Sequence, residues 1–306
     1  MHFRSITLIL VALLNFVVRD EMYGQAGKAG LSFLKLGISG RGISMGDAMS
    51  AHVTGAAATH YNPAGVLVGT TPAQLMIMHK EWIQDTRTEF LGASARLGET
   101  DAIGISLNST TVSDIEIRTR PGTPEGTFTA RNYSLGASYA RQFSDDLQIG
   151  ITAKFLHEKI LIDEASGFGF DVGVQYKTTI SNLSIGVVVS NLGSMSALRN
   201  VKTKLPTLTR IGSAYSTDIE EISSQLTVAT DFLHIFPGAR SYLNSGAELV
   251  FDNIVAARAG YQFGSKGRGF TAGVGVQHGI IALDYAYSPL SLDLGNSHTV
   301  SVSLNL

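Results

Sequence analysis

From Thr71 onward the chain alternates between apolar and polar positions. In the stretch beginning at Leu147, the residues Leu147, Ile149, Ile151, Ala153 and Phe155 interleave with Gln148, Gly150, Thr152 and Lys154. Successive side chains of a strand point to opposite faces, so this spacing gives one apolar and one polar surface. The same split sets Phe168, Phe170, Val172, Val174 and Tyr176 against Gly169, Asp171, Gly173 and Gln175. It recurs with Leu183, Ile185, Val187 and Val189, and with Val300, Val302, Leu304 and Leu306. The pattern predicts strands at about 72–80, 88–98, 101–109, 127–142, 147–160, 167–178, 182–191, 207–216, 224–232, 242–251, 254–263, 269–277, 280–287 and 296–306. That is roughly fourteen, an even number, as bacterial single-chain barrels require.

Connections fall into two classes. Gly98–Thr100, Phe143–Asp146, Thr178–Ser181, Ser216–Ile222, Asp252–Asn253 and Gln277–Gly279 are short; Thr110–Gly126, Leu192–Pro206, Phe232–Ser241 and Ser288–Gly295 are longer. Short turns on one rim and longer loops on the other are the habit of outer-membrane barrels. Aromatics of the apolar set gather toward strand ends: Tyr133, Tyr139, Tyr176, Tyr215, Phe251, Tyr261, Phe263, Tyr285 and Tyr287. An apolar ring with a polar tip suits a membrane interface. The fold expected is all-β, a transmembrane antiparallel barrel whose apolar set faces lipid. The polar set then lines a lumen rich in glycine, including Gly92, Gly104, Gly136, Gly150, Gly173, Gly186, Gly212, Gly246, Gly260, Gly273 and Gly275. Strand glycines mark places where another backbone comes close.

The backbone expected to come close is the stretch Lys28–Gly69, which is rich in Gly and Ala and does not alternate. A short helix is predicted over Ile43–Ala51, with Gly40 and Gly42 before it free to take positive φ. Tyr61, Asn62, Pro63, Ala64 and Gly65 form a predicted tight turn, with Asn62 extended before the proline and Gly65 reversing the chain. An insert this small has too little core to stand alone, so it is expected to sit as a plug (27–70) inside a barrel (71–306). Charges of both signs on the polar set, Arg96, Lys154, Lys177, Arg210 and Arg258 against Glu158, Asp171, Asp231, Glu248 and Asp284, are expected to pair inside the lumen and grip the plug, since an isolated buried charge is very costly. Residues 1–26 have the form of a secretory leader: His2 and Arg4, an apolar run from Ile6 to Val18, and Gly24-Gln25-Ala26 as a small-x-small cleavage site.

Composition narrows the function. A net charge of −2 and a pI near 6.4 argue against a nucleic-acid partner. The absence of cysteine removes thiol chemistry and cysteine-bound zinc. No two of the eight histidines form an HxH or HxxxH pair, so no metal is expected. Gly42-Ile43-Ser44-Met45-Gly46 matches GxSxG, but no apolar strand leads into it. Gly37–Gly42 lacks the GK[ST] of a phosphate loop. Gly264–Gly269 (GSKGRG) fits a solvated hairpin loop. No cofactor and no enzymatic activity are expected.

The run AGLSFLKLGISGRGISMGDAMSA followed by NPAG resembles the N-terminal signature of the PorV/PorQ outer-membrane proteins, which are similar in turn to FadL-type transporters of hydrophobic compounds. The sequence departs from that family where acidic residues are common, carrying His52, Thr54 and Gly55. The resemblance implies residence in the outer membrane and a non-enzymatic accessory role in type IX secretion, binding cargo C-terminal domains or secretion subunits through the loops Thr110–Gly126 and Leu192–Pro206. The FadL likeness implies an alternative, passage of hydrophobic small molecules, with a ligand or detergent in the lumen and Met45, Met49, Met76 and Met78 beside it, since methionine suits adaptable apolar pockets.

Overall fold

The computed structural model describes residues 29–67, 69, 71–83 and 85–306; the leader expected at 1–26 lies outside them. The strands are β1 (Ala73–Glu81), β2 (Thr86–Arg96), β3 (Asp101–Ile117), β4 (Gly126–Ser144), β5 (Leu147–Ile160), β6 (Asp163–Lys177), β7 (Leu183–Met195), β8 (Ala197–Leu198), β9 (Val201–Lys202), β10 (Leu208–Ile219), β11 (Ser224–Ile235), β12 (Arg240–Phe251), β13 (Val255–Phe263), β14 (Phe270–His278), β15 (Ile281–Pro289) and β16 (Asn296–Asn305). All but β8 and β9 form one closed antiparallel barrel of fourteen strands. Closure joins β1 to β16, from Gln74 opposite Asn305 to Glu81 opposite His298. β8 and β9 make a separate small hairpin between β7 and β10.

The phase of the alternation sets the faces. In β5, Gln148, Gly150, Thr152, Lys154 and Leu156 are buried, whereas Ile151 and Ala153 are exposed. Outside the barrel, Ile77, Ile105, Leu135, Phe168, Ile211 and Val274 are each more than half exposed, which only an apolar surrounding favours over such an area. Tyr139, Tyr176, Tyr215 and Phe251 lie toward one rim, and Tyr261, Phe263, Tyr285 and Tyr287 toward the other. The rim where β1 begins and β16 ends carries short turns such as Asp145–Asp146 and Gly279–Ile280, and is called the turn rim. The opposite, loop rim carries 118–125, 196–207, 264–269 and 290–295.

Three local expectations are corrected. The loop expected at Thr110–Gly126 is mostly strand: β3 and β4 continue their pairing to Ile117 opposite Gly126, past a bulge between Val112 and Ile115. The bulge interrupts the alternation, and the short apolar set beyond it, Ile115, Ile117 and Phe128, lies among threonines and charges, so the extension carries little amphipathic signal. The loop expected at Leu192–Pro206 begins with the end of β7 and contains the β8–β9 hairpin, and Leu205 then turns inward to 3% exposure. The helix expected at Ile43–Ala51 instead spans Gly40–Ser44, because the Ser39 hydroxyl accepts the Gly42 amide and caps it earlier.

Candidate functional site: the segment inside the barrel

Residues 29–67 thread the lumen from the loop rim to the turn rim. At the loop rim, the Gly30 amide donates to the Lys204 carbonyl at 3.0 Å. Leu31, Phe33 and Leu34 pack there against Leu156, Ala165, Met195 and Leu205. At the turn rim, Arg96 Nη1 donates to the carbonyls of Leu67 and Gly69, each at 2.9 Å. Between these ends Met45, Met49, Val53, Ala56 and Tyr61 share one buried cluster with the inward-facing Met76, Met78 and Phe90.

The glycines of the wall explain how a backbone fits so closely. A Cβ built on Gly150 would overlap the backbone of Pro63, one on Gly186 that of Ser50, and one on Gly260 that of Met45 and Gly46. Gly136 is an exception, since its nearest neighbour would be the Ser106 hydroxyl at 2.7 Å. Within the segment the same logic replaces the expected role of positive φ. Neither Gly40, Gly42 nor Gly65 has positive φ. A Cβ on Gly40 would lie 2.8 Å from the Asp284 carbonyl oxygen, one on Gly42 would meet the Tyr61 hydroxyl, and one on Gly65 the Val53 carbonyl. Gly40 also donates its amide to Ser301 Oγ at 2.9 Å.

Asn62 sits at the centre of the fit. Its backbone is extended, and its Oδ1 accepts the Ala64 amide at 3.2 Å, capping the turn Pro63–Val66. Its Nδ2 donates to the Ser50 carbonyl at 2.7 Å and to the Val174 carbonyl of the wall at 3.0 Å. Asp231 receives three hydrogen bonds from the segment: the Met49 amide at 3.1 Å, the Ser50 amide at 2.9 Å and the Ser50 hydroxyl at 2.7 Å.

The charges form three separate groups. On the β12–β15 side, Glu248 accepts from Arg41 at 2.7 Å and from Arg258 at 2.5 Å, and Arg258 also holds Asp284 at 2.7 Å. On the loop-rim side of the segment, Asp47 Oδ2 accepts from Arg268 at 2.6 Å and Oδ1 from the Tyr61 hydroxyl at 2.8 Å, while Arg210 donates to the Asp47 carbonyl at 3.3 Å. Burial acts to raise the Asp47 pKa, but Arg268, Arg210 and Lys80 overcome it and hold the carboxyl below its usual range. The third group, Lys154 with Asp171 at 2.5 Å and with Asn191 at 3.0 Å, ties wall strands to one another.

Of the ten charges expected to grip the segment, four do not: Lys154 and Asp171 pair with each other within the wall, Lys177 is exposed at the end of β6, and Glu158 forms no salt bridge among the described residues. Arg96 binds backbone at the turn rim rather than a carboxylate. Asp47, Arg268 and Lys80 were not in that expected set. Arg268 corrects the reading of Gly264–Gly269 as a solvated loop, because its side chain turns inward to Asp47 across 221 residues of sequence. Two histidines of the segment are held as neutral imidazoles: burial first, then Arg41 for His52 and Lys154 for His60, hold both down to about 3.

The segment leaves open space on both sides. A cavity of about 580 Å³ lies toward the turn rim, between Arg41, Met49, Val53 and Ala57 of the segment and Glu248, Val250, Ala256, Asp284 and Ser303 of the wall. A second, of about 720 Å³, lies at the loop rim among Gly30, Leu198, Val201, Lys202, Phe236 and Pro237.

A closed fourteen-stranded antiparallel barrel with an apolar outer band between two aromatic belts is an outer-membrane protein, and that is where the chain resides. Among solved structures it is similar to the toluene transporter TbuX of Ralstonia pickettii (TM-score 0.61, 16% identity, covering 88% of this chain and 97% of that one). It is also similar to the toluene transporter TodX of Pseudomonas putida (0.65, 14%, 88% and 98%). A FadL homologue of Pseudomonas aeruginosa matches with a TM-score of 0.54 at 11% identity, covering 88% and 98%. At such identities the likeness is one of fold. No family description and no curated protein matches by sequence.

Proposed function

We propose that this barrel passes small hydrophobic molecules across the outer membrane and is not an enzyme. In this reading residues 27–70 act as the plug and residues 1–26 as the export leader. The observation that carries it is the pair of cavities on opposite sides of the lumen segment, each large enough for a small organic molecule. Gly40, Arg41, Gly42 and the turn Asn62, Pro63, Ala64 and Gly65 serve to seat the plug, and the Arg41–Glu248–Arg258–Asp284 chain serves as its latch. The fold shared with toluene transporters and with a monoaromatic hydrocarbon channel supports the reading.

The test is uptake of labelled toluene by cells expressing the full chain in an outer membrane stripped of other hydrocarbon barrels. Uptake several-fold above cells carrying an unrelated fourteen-stranded barrel is expected; equal uptake would overturn the proposal. The type IX accessory role implied by the sequence resemblance rests on that motif alone, and neither the fold nor the neighbours add support to it.

A further inference from the structure

In the wall of β5–β7 an amine, a carboxylate and a carboxamide are shut away from water together. Lys154, Asp171 and Asn191 are 6%, 0% and 1% exposed. Lys154 Nζ lies 2.5 Å from Asp171 Oδ2 and donates to Asn191 Oδ1 at 3.0 Å. Asp171 Oδ1 accepts the Asn191 backbone amide at 2.8 Å, so one carboxylate touches both partners. The carboxamide is fixed from its other side, where Nδ2 donates to the Pro206 carbonyl at 3.2 Å.

A bulge brings these groups together. The β6–β7 register shifts between Phe170 and Val172, which sets Ser190 and Asn191 together against Asp171 and buries both side chains. Asn191 takes φ +60°, a left-handed backbone that asparagine tolerates. Leu156, Leu205 and the stem of Lys154 converge over Gly169 and close the group off with apolar surface. An ammonium becomes a nucleophile once it gives up a proton, and the Asp171 carboxylate is placed to take one. Asn191 Cγ is one C=O bond beyond Oδ1, so Nζ stands no more than about 4.2 Å from it. A swing of the lysine by about 1 Å reaches attack distance.

We propose that Lys154 and Asn191 join in an intramolecular isopeptide bond, with Asp171 as the catalytic acid and base. Asp171 Oδ2 takes one proton from the ammonium, and the freed lone pair forms the Nζ–Cγ bond as the carbonyl pair moves onto Oδ1. A second Nζ proton passes to Nδ2. The pair on Oδ1 then restores the carbonyl, the Cγ–Nδ2 bond breaks, and ammonia leaves with the proton held on Asp171. Lysine ammonium and carboxamide have become an amide and a free ammonium ion, with no oxidant, reductant or water consumed. The bond ties β5 to β7 across β6, where the bulge interrupts the ladder. The inference stands apart from the transport reading.

The experiment compares the full chain kept unfolded in urea with the same chain folded into neutral detergent, each digested with trypsin and weighed by mass spectrometry. The folded sample is expected to yield a branched peptide, Gln142–Lys159 joined to Thr178–Arg199, uncut at Lys154. Its mass should fall about 17 Da below the sum of the two, with about one ammonium released per chain, as nucleophilic displacement of ammonia requires. The urea sample should give the peptides unjoined. Lys154→Arg, which keeps a cation beside Asp171, and Asp171→Ala should each give no branched peptide from the folded barrel. Unjoined peptides from the folded parent protein, or a branched peptide that survives Asp171→Ala, would overturn the proposal.

Discussion

Both halves of the wall seat the inner segment's backbone against glycine, and one of them adds ion pairs beside open space. Around β4–β7, glycines let the chain's backbones touch: Gly150 and Gly173 receive the Asn62-Pro63 corner, and Gly186 receives Ser50. The charged pair on that side, Lys154 and Asp171, is spent within the wall. Around β12–β15, Gly246 and Gly260 likewise meet the backbone of Met45 and Gly46, but ion pairs are added, and Arg41, 31% exposed, borders the cavity of about 580 Å³ while it grips Glu248. Close-packed backbone has one arrangement that fits, whereas an ion pair beside open space can be broken and rehydrated at modest cost. The first contact therefore seals, and the second is where the segment can yield.

Substitutions can separate these two modes. The largest effect is expected from Gly150→Leu, which forces Pro63 out of its seat; overpacking of this kind costs about 3 kcal/mol. It should expose the segment to protease and lower the temperature at which the barrel loses its heat-resistant mobility on a gel. Glu248→Ala strands Arg41 and Arg258 together and should cost about 2 kcal/mol, less than a fully buried pair would because Arg41 borders the cavity. The same variant should raise single-channel leak in planar bilayers; a silent variant would break the distinction drawn above. Asn62→Ala removes hydrogen bonds to Ala64, Ser50 and Val174 and is expected to cost about 1.5 kcal/mol, measured as a shift in urea midpoint.

An effect that grows with acidity should appear with pH. His52 titrates near 3 when folded and near 6.5 when free, so below 6.5 the unfolded chain binds the extra proton and the folded chain does not. Stability is thus complete above pH 6.5 and declines as acid is added toward 3. His52→Leu should flatten that decline in a series of melting curves. The smallest change is expected from Gly136→Ala, where the Ser106 hydroxyl can rotate away.

What the sequence made legible was the part of the fold governed by period. The faces of β5 could be assigned from Leu147 to Phe155 because a membrane barrel places lipid and lumen on alternate residues. The wall glycines were legible too, as gaps in that alternation. Arg268 was not, because nothing in GSKGRG distinguishes a solvated loop from one that folds a cation inward. Nor was the bulge opposite Asp171, where the pairing of β6 and β7 shifts between Phe170 and Val172 and Asn191 turns inward beside Lys154. A slip of one residue reverses a side chain, and only the partner strand reveals it.

The connection from Leu67 to Ala73 has a mechanical consequence. Six peptide steps span at most about 20 Å when pulled straight. That leash keeps the Leu67 end at the mouth where β1 begins, whatever happens deeper in the bore. The segment cannot be flung out through the far opening as one piece. Any movement of the segment therefore pivots on that tethered end.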